Sequence, residues 1–325
     1  MNKKLVNILK NTLPLLLGVF LIWYSYSHTT PEDRTNIINA VKEANYVWVL
    51  VSLLLGFLSH LSRALRWNLI LAPMGYKPSL ANNIMAIFVA YLANLGVPRS
   101  GEVLRATTIS TYEKIPFQKA FGTIIAERVI DVIMLLLVVL VTGILQTEII
   151  ADFFLSKNIN YVQLILLGVA AAAIGITFLV LIKRAKSGFL AKIKTFVFGI
   201  IEGLTSIFKM KDKWLFLFYT LCIWTLYIAM FWVIKFSLPE TLNLPISAIL
   251  AAFVAGAFAM SATNGGIGLY PLAVSKILLI YGIGKASGDA FGWIMWSAQT
   301  LMVVIFGALS FLFLPIYNSS KKASK

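Results

Sequence analysis

Long apolar runs separated by short polar segments dominate the chain. A hydrocarbon core about 30 Å thick takes roughly 20 helical residues to cross, and several runs reach that length with their flanks. Because lipid offers backbone N–H and C=O groups no partner, such runs have to be helical. The pattern predicts an all-α polytopic membrane protein, with apolar runs at Leu13–Ser27, Val47–Ser59, Val129–Leu145, Val162–Ile182, Trp214–Ile234 and Trp293–Leu314.

Two further apolar segments are interrupted near their middle. Residues 81–112 contain Pro98 and Gly101, and residues 246–281 contain a glycine-rich run at 263–268. Proline removes a helical hydrogen bond, and glycine favours conformations outside the helix. Each segment therefore predicts two short helices joined at a tip.

Lysine and arginine mark the cytoplasmic side of a membrane protein. Residues 183–213 carry eight of the 28 basic residues, and both termini are basic as well. If residues 81–97 formed a full span, the basic segment would lie outside the cell. It lies inside if 81–112 and 246–281 are re-entrant hairpins. We therefore predict about six full spans, two re-entrant hairpins and cytoplasmic termini.

The two predicted hairpins open to opposite faces of the membrane, within helix–hairpin–helix units at about 46–145 and 214–314. Inverted repeats with broken helices near the midplane are typical of transporters. We expect a single membrane domain over residues 1–325, with these inverted halves and a cytoplasmic linker at about 183–213. Apolar residues at three- and four-residue spacing predict an amphipathic helix over 189–208 of the linker.

Composition agrees with a membrane protein. Hydrophobic residues make up 59% of the chain and charged residues 13%, and the net charge of +15 follows the cytoplasmic bias rather than indicating nucleic acid. Cys222 is the only cysteine, which excludes a disulfide within the chain. No spacing of histidine or cysteine suggests a metal site, and we expect no cofactor. The basic start predicts an uncleaved first helix, since no small-residue cleavage site follows it.

The first hairpin tip concentrates charge in an apolar setting. Arg99, Glu102 and Arg105 surround the predicted start of its second helix, where Ser100 is expected to be the cap. Ionisable groups within a membrane are costly and usually face a partner or a cavity. The free N–H groups of the helix start and Arg99 would form an anion site. The alternative is a salt bridge between Glu102 and Arg105 that closes the hairpin.

Three charged residues, Glu127, Arg128 and Asp131, lie within the helix predicted over 118–145. Glu127 and Asp131 are four residues apart on one helix face, so their charges repel unless a cation lies between them. Arg99, Arg105 or Arg128 would supply that cation. A structural network and a substrate-contacting network both fit this pattern.

Arg63 and Arg66 lie towards the cytoplasmic end of the helix predicted over 46–66. They either snorkel at the interface or form a basic vestibule for phosphate. The second hairpin tip has no charge. It either breaks the helix or presents backbone N–H groups to an anion, and its candidate residues are Asn264, Gly265, Gly266 and Gly268.

Taken together, these motifs resemble the transmembrane region of lysylphosphatidylglycerol synthases, a family also described as flippase-like. The resemblance covers nearly the whole chain and rests on Arg63-x-x-Arg66-Trp67, Pro98-Arg99-Ser100-Gly101-Glu102-x-x-Arg105, Glu127-Arg128-x-x-Asp131 and Gly265-Gly266-Ile267-Gly268.

The resemblance implies movement of aminoacylated phospholipid between leaflets, with aminoacyl transfer left to a separate soluble domain. Because eleven residues follow Leu314, we expect this chain to lack that domain. Relatives without it are linked to other polar lipids. The family's glycine motif often continues to a carboxylate, where this chain has Leu269-Tyr270-Pro271.

The leading hypothesis is therefore a flippase, not an enzyme, in the inner (plasma) membrane. It would move a phospholipid, an aminoacyl-phospholipid or a polyprenyl-linked lipid. Its arginines would hold phosphate, and its carboxylates would balance them or bind a cationic head group. The alternatives are an integral membrane enzyme acting on lipid phosphate or glycolipid, and a small-solute or ion carrier. Expected partners are membrane lipids and no nucleic acid, with a homo-oligomer or a separate lipid-modifying enzyme left open.

Overall fold

The computed structural model describes residues 30–147 and 211–323, with single positions between 16 and 27 and at 166 and 177. The described ranges contain helices and short turns but no strand, which confirms the all-α class. Their helices are α1 Pro31–Glu43, α2 Tyr46–Leu71, α3 Leu80–Gly96, α4 Ser100–Glu113, α5 Phe117–Leu145, α6 Lys213–Val233, α7 Ile246–Ala262, α8 Leu269–Ile280 and α9 Lys285–Ala323.

Three helices of the described ranges are long and apolar enough to cross a membrane. The candidate spans are Tyr46–Met74 and Lys213–Ser237, which include the terminal turns of α2 and α6, and Lys285–Ser319 within α9. Three predicted apolar runs fall within these helices. The predicted spans at 13–27 and 162–182 and the amphipathic helix over 189–208 lie outside the described ranges. The total of six spans stays a prediction.

The structure divides into two compact units. The larger contains the described residues of Met1–Ile125 and Trp214–Lys325, and the smaller those of Ala126–Lys213. Both hairpin segments belong to the larger unit. The 29-residue helix α5 begins in the larger unit and continues into the smaller one.

Helix α1 is polar and was not predicted, although its start follows ordinary capping rules. The Thr30 hydroxyl accepts a hydrogen bond from the backbone N–H of Asp33 at 3.0 Å, and Pro31 occupies the first helical position. Glu32 and Asp33 lie in the first turn, where the helix dipole favours negative charge. No residue of α1 is fully buried, but Ala40 and Val41 pack against the apolar core and Lys285 of α9 donates to Asp33, so the helix also has tertiary support.

Helices α3 and α4 form an antiparallel hairpin whose base is polar. The Glu113 carboxylate at the end of α4 accepts hydrogen bonds from Ser79 and Asn82 at the start of α3, at 2.6–2.9 Å. Asn82 and Asn318 exchange two further amide hydrogen bonds, of 2.9 and 2.8 Å. This network joins the hairpin base to the last turns of α9.

Helices α7 and α8 form a second hairpin around an apolar core. Tyr270 of α8 packs so closely on Gly256 of α7 that a Cβ there would lie 2.7 Å from its ring. The buried residues of this core come mainly from α6 to α9, with Val49 from α2, and include Phe231, Ile249 and Phe291. Both interrupted segments therefore fold as helical hairpins, and their insertion into the membrane as re-entrant elements stays a prediction.

Candidate functional site

The tip of the first hairpin is closed by hydrogen bonds between its two helices. The backbone N–H of Gly101 donates to the Asn94 side-chain oxygen at 2.8 Å. The Ser100 hydroxyl donates to the carbonyl oxygens of Ala93 and Val97 at 3.1 and 2.8 Å. Ser100 is therefore not the cap of α4, and that prediction is wrong. Its hydroxyl instead adds a second hydrogen bond to carbonyl groups at the end of α3 that already accept backbone N–H groups.

Arg99 holds the capping position of α4 in the left-handed conformation, with φ of 62°. Its side chain is exposed, and Glu102 in the first turn is partly buried. Since Gly101 already donates to Asn94, one of the N–H groups predicted to face an anion is occupied. The anion site at this helix start is correspondingly smaller than the sequence suggests.

The second tip is a tight turn that requires glycine. Gly265, Gly266 and Gly268 all have positive φ, of 60°, 77° and 69°. A Cβ at Gly266 would lie 2.8 Å from the Met260 sulfur and 2.9 Å from the Tyr270 Cβ. Conformation and packing thus explain these glycines, as the helix-breaking interpretation predicted.

The two hairpin tips meet. The Asn264 side-chain N–H donates to the carbonyl oxygen of Gly96 at 3.2 Å, and a Cβ at Gly265 would overlap the Leu95 side chain. The Trp296 indole N–H of α9 donates to the Gly265 carbonyl at 2.8 Å, which fixes the second tip from the other side. Asn264 is 2% exposed, so its side chain is enclosed at this junction.

Three of the arginines predicted to be site residues are buried in the larger unit. Arg66 is 0% exposed, and Arg63 and Arg105 are each 3% exposed. Snorkelling at the interface is therefore wrong for Arg63 and Arg66, because side chains from α6 cover them.

The contacts of these arginines include uncharged groups. Arg63 donates to the Tyr227 hydroxyl and Arg66 to the Thr220 hydroxyl, both at 3.3 Å. The Arg105 guanidinium carbon lies 3.8 Å from the centroid of the Trp67 ring, a cation–π contact. Because Trp67 lies four residues after Arg63, about one helical turn, Arg105 of α4 contacts the α2 face that carries Arg63.

The charged residues of α5 lie in the smaller unit. Glu127 is 0% exposed, and Asp131 lies one turn further along the helix. An Arg128 nitrogen is 3.9 Å from an Asp131 carboxylate oxygen. Pairing of these carboxylates with Arg99 or Arg105 stays a prediction. Among the described residues, no group of three or more histidine, cysteine, aspartate or glutamate side chains has metal-site geometry.

A cavity of about 220 Å³ lies beside the junction of the hairpin tips. Its wall includes residues that the sequence analysis did not assign to a site, among them His60, Tyr227 and Gln299. The Tyr91 and Tyr227 hydroxyls are 3.3 Å apart, and Tyr227 also accepts from Arg63. Tyr227 therefore belongs to the cavity wall and also contacts Arg63. His60 directly follows one predicted apolar run and Gln299 lies inside another, and a polar residue at such a position could have identified both.

Comparison with known proteins gives a consistent picture. A family model described as the lysylphosphatidylglycerol synthase TM region matches residues 11–307. A UPF0104 membrane protein of Methanocaldococcus jannaschii is 26% identical over 129 residues, 39% of this chain and 38% of that protein. Glycosyltransferase AglD of Haloferax volcanii is 28% identical over 102 residues, 31% of this chain and 16% of that protein.

The matched regions make up less than two-fifths of either relative's length. No solved structure matches the chain. These similarities indicate a membrane protein with a lipid-related function.

Proposed function

The chain belongs to the lysylphosphatidylglycerol synthase transmembrane-region family, and on that premise we propose that it moves a phosphate-bearing lipid between the leaflets of the cell membrane. The observation that carries the proposal is the burial of Arg63, Arg66 and Arg105 next to two hairpins whose tips meet.

Three buried guanidinium groups are expensive for a membrane helix bundle. Insertion scales give about 2.5–3.5 kcal/mol for one such residue at the centre of a helix, or roughly 8–10 kcal/mol for three. An enclosed setting also strengthens their attraction for an anion. Guanidinium groups bind phosphate oxygens in pairs through a planar fork, which lysine does not offer. A lipid phosphate is the anion that a membrane supplies.

The junction of the hairpin tips offers a route for the head group. Broken helices meeting inside a helix bundle are where many transporters bind their substrates. The cavity adjoins this junction and reaches Tyr227, the partner of Arg63. In the proposed cycle the phosphate contacts the arginines while the head group passes the junction and the acyl chains stay in lipid.

We propose transport rather than catalysis. AglD's name describes glycosyl transfer, but the match covers 16% of that protein. We therefore do not extend that activity to this chain. We also retain the inverted arrangement of the two hairpins and cytoplasmic termini as parts of this proposal.

The test is translocation in proteoliposomes containing phosphatidylglycerol with a fluorescent acyl chain. A membrane-impermeant quencher reports the lipid that reaches the outer leaflet. Arg105→Lys keeps the charge but loses the fork over Trp67, and we expect the rate per folded protein to fall by about tenfold, the weight of one charge-assisted hydrogen bond.

Arg34→Lys is a matched control. The Arg34 guanidinium also stacks on an aromatic ring, 3.6 Å from the centroid of Tyr26, but it lies on the polar helix α1. We expect its rate to equal that of the unmodified protein. No translocation above that of empty liposomes, or equal losses in both variants, would overturn the proposal. Chemically altered lipid recovered from the vesicles would favour the enzyme alternative.

A further inference from the structure

The cavity beside the hairpin junction lies midway along the spanning helices. His60 is near the middle of α2, Tyr227 near the middle of α6 and Gln299 near the middle of α9. Its remaining wall comes from the tip ends of both hairpins, including Leu95 and Met260. Any group in this cavity is therefore remote from both ends of these helices.

Part of the cavity wall is polar and lacks hydrogen-bond partners within the described structure. The Nδ1 atom of His60 and the amide nitrogen of Gln299 are both buried without a partner. His60 itself is 6% exposed, with its ring against Phe88 and Tyr91. A buried donor without a partner costs about 1–3 kcal/mol, so such groups are normally satisfied by water or a ligand.

The wall is aromatic and uncharged. Besides Tyr227, its described residues include four aromatic side chains, Tyr91, Phe253, Tyr270 and Trp296. None of its described residues is aspartate, glutamate, lysine or arginine. Tyr and Thr hydroxyls add donors and acceptors, at Tyr270 and Thr300. Arg63 donates to the Tyr227 hydroxyl and so brings a cation next to this wall.

We infer that this cavity is the subsite for an uncharged, hydroxyl-bearing part of the lipid head group, a glycerol or a sugar ring. The inference rests on the proposed lipid transport and names its substrate class. The unpartnered nitrogens of His60 and Gln299 bind hydroxyl groups, and the aromatic rings cover the apolar faces of the ligand. The adjacent Arg63 holds the phosphate.

Size and charge separate this ligand class from a cationic head group. A cavity of about 150 Å³ holds benzene, so 220 Å³ accepts a glycerol or, with small side-chain movements, a hexose. Aromatic rings also attract ammonium groups. However, the wall supplies no carboxylate, and Arg63 repels a second cation at this position.

Soluble head groups test the subsite without transport. Thermal unfolding in detergent is measured with glycerophosphoglycerol, glucose 1-phosphate and phosphocholine at equal concentrations. We expect the first two to raise the unfolding temperature more than phosphocholine, because only they carry alcohol hydroxyl groups. The larger shift of the two identifies glycerol or sugar as the preferred source. Equal shifts with all three would refute the inference.

Two substitutions remove the polar groups with little change in volume, His60→Phe and Gln299→Met. Each should lower the translocation rate of phosphatidylglycerol relative to phosphatidylcholine about two- to tenfold, the weight of one hydrogen bond. Ser62→Ala is the control. It lies two residues beyond His60 on α2, and its hydroxyl already donates to Leu58 of its own helix at 2.9 Å.

The outcomes separate this inference from the proposed function. If both lipids move at equal rates in the unmodified protein, the subsite is refuted and lipid transport stands. If neither lipid moves, transport is refuted, and the thermal shifts alone decide the subsite. If the ratio is unchanged in both His60→Phe and Gln299→Met, the cavity holds only solvent and the inference is wrong.

Discussion

Substitution of Gly101 by alanine should open the first hairpin at its tip. A Cβ at this position would overlap the Ala90 carbonyl oxygen and lie 2.8 Å from the Ala90 carbonyl carbon and 2.7 Å from the Asn94 amide nitrogen. Two of these contacts are with backbone, which a rotamer change cannot relieve. Helices α3 and α4 therefore have to separate.

The size of the effect follows from these distances. Carbon atoms pack at about 3.5–4.0 Å, so the helices have to move apart by roughly 1 Å. The 2.8 Å hydrogen bond from Gly101 to Asn94 then exceeds the usual limit of about 3.2 Å. Overpacking costs about 1–3 kcal/mol and the lost bond about 0.5–1.5 kcal/mol. The higher helix propensity of alanine over glycine offsets up to about 1 kcal/mol of this loss. The net destabilisation is about 2 kcal/mol.

The assay is thermal unfolding in detergent, together with amide hydrogen exchange of α3 and α4. By the scale of soluble proteins, about 2 kcal/mol lowers the unfolding temperature by roughly 4–8 °C. Gly122→Ala in α5 is the control, because nothing lies within 4 Å of its added Cβ. This variant should be as stable as the unmodified protein or slightly more stable. If Gly101→Ala behaves like Gly122→Ala, or if exchange in α3 and α4 is unchanged, the close packing of the hairpin is refuted.

Three further predictions concern local features. Arg99→Gly should be about 1 kcal/mol more stable than Arg99→Ala, because glycine adopts the left-handed conformation without strain; equal stabilities would argue against that conformation. The ammonium of Lys285 donates to Asp33 and lowers the pKa of this carboxyl. The stability difference between the unmodified protein and Asp33→Asn should therefore be constant above about pH 4 and shrink as the pH falls below it. The topology is tested with single cysteines in a Cys222→Ser background. Asn243→Cys should react with an impermeant thiol reagent on intact cells, and Lys114→Cys should not. The reverse pattern would contradict the orientation of the hairpins.

The sequence by itself determined the class of the protein and its longest helices. In lipid, an isolated segment satisfies its backbone hydrogen bonds only as a helix. The apolar runs within α2, α6 and α9 therefore predicted helices without knowledge of their neighbours. Pro98 and the glycines at 265–268 likewise located both hairpin tips, because their effect on the backbone is local. The motifs around these positions were sufficient to identify the family.

The tertiary structure decided which polar side chains are enclosed. Arg63 and Arg66 snorkel or lie buried depending on the helix opposite them, and their partners Tyr227 and Thr220 are 164 and 154 residues away in the chain. Serine is a common helix cap, but the Ser100 hydroxyl donates to carbonyl groups at the end of α3 instead.

The cavity was equally beyond the sequence. Its walls come from six helices, and no spacing along the chain records which of their faces converge. Helix periodicity specifies which residues share a face, whereas the hairpin tips and the helices packed around them determine which faces meet. Local backbone chemistry therefore fixed the elements, and packing between residues distant in sequence created the site.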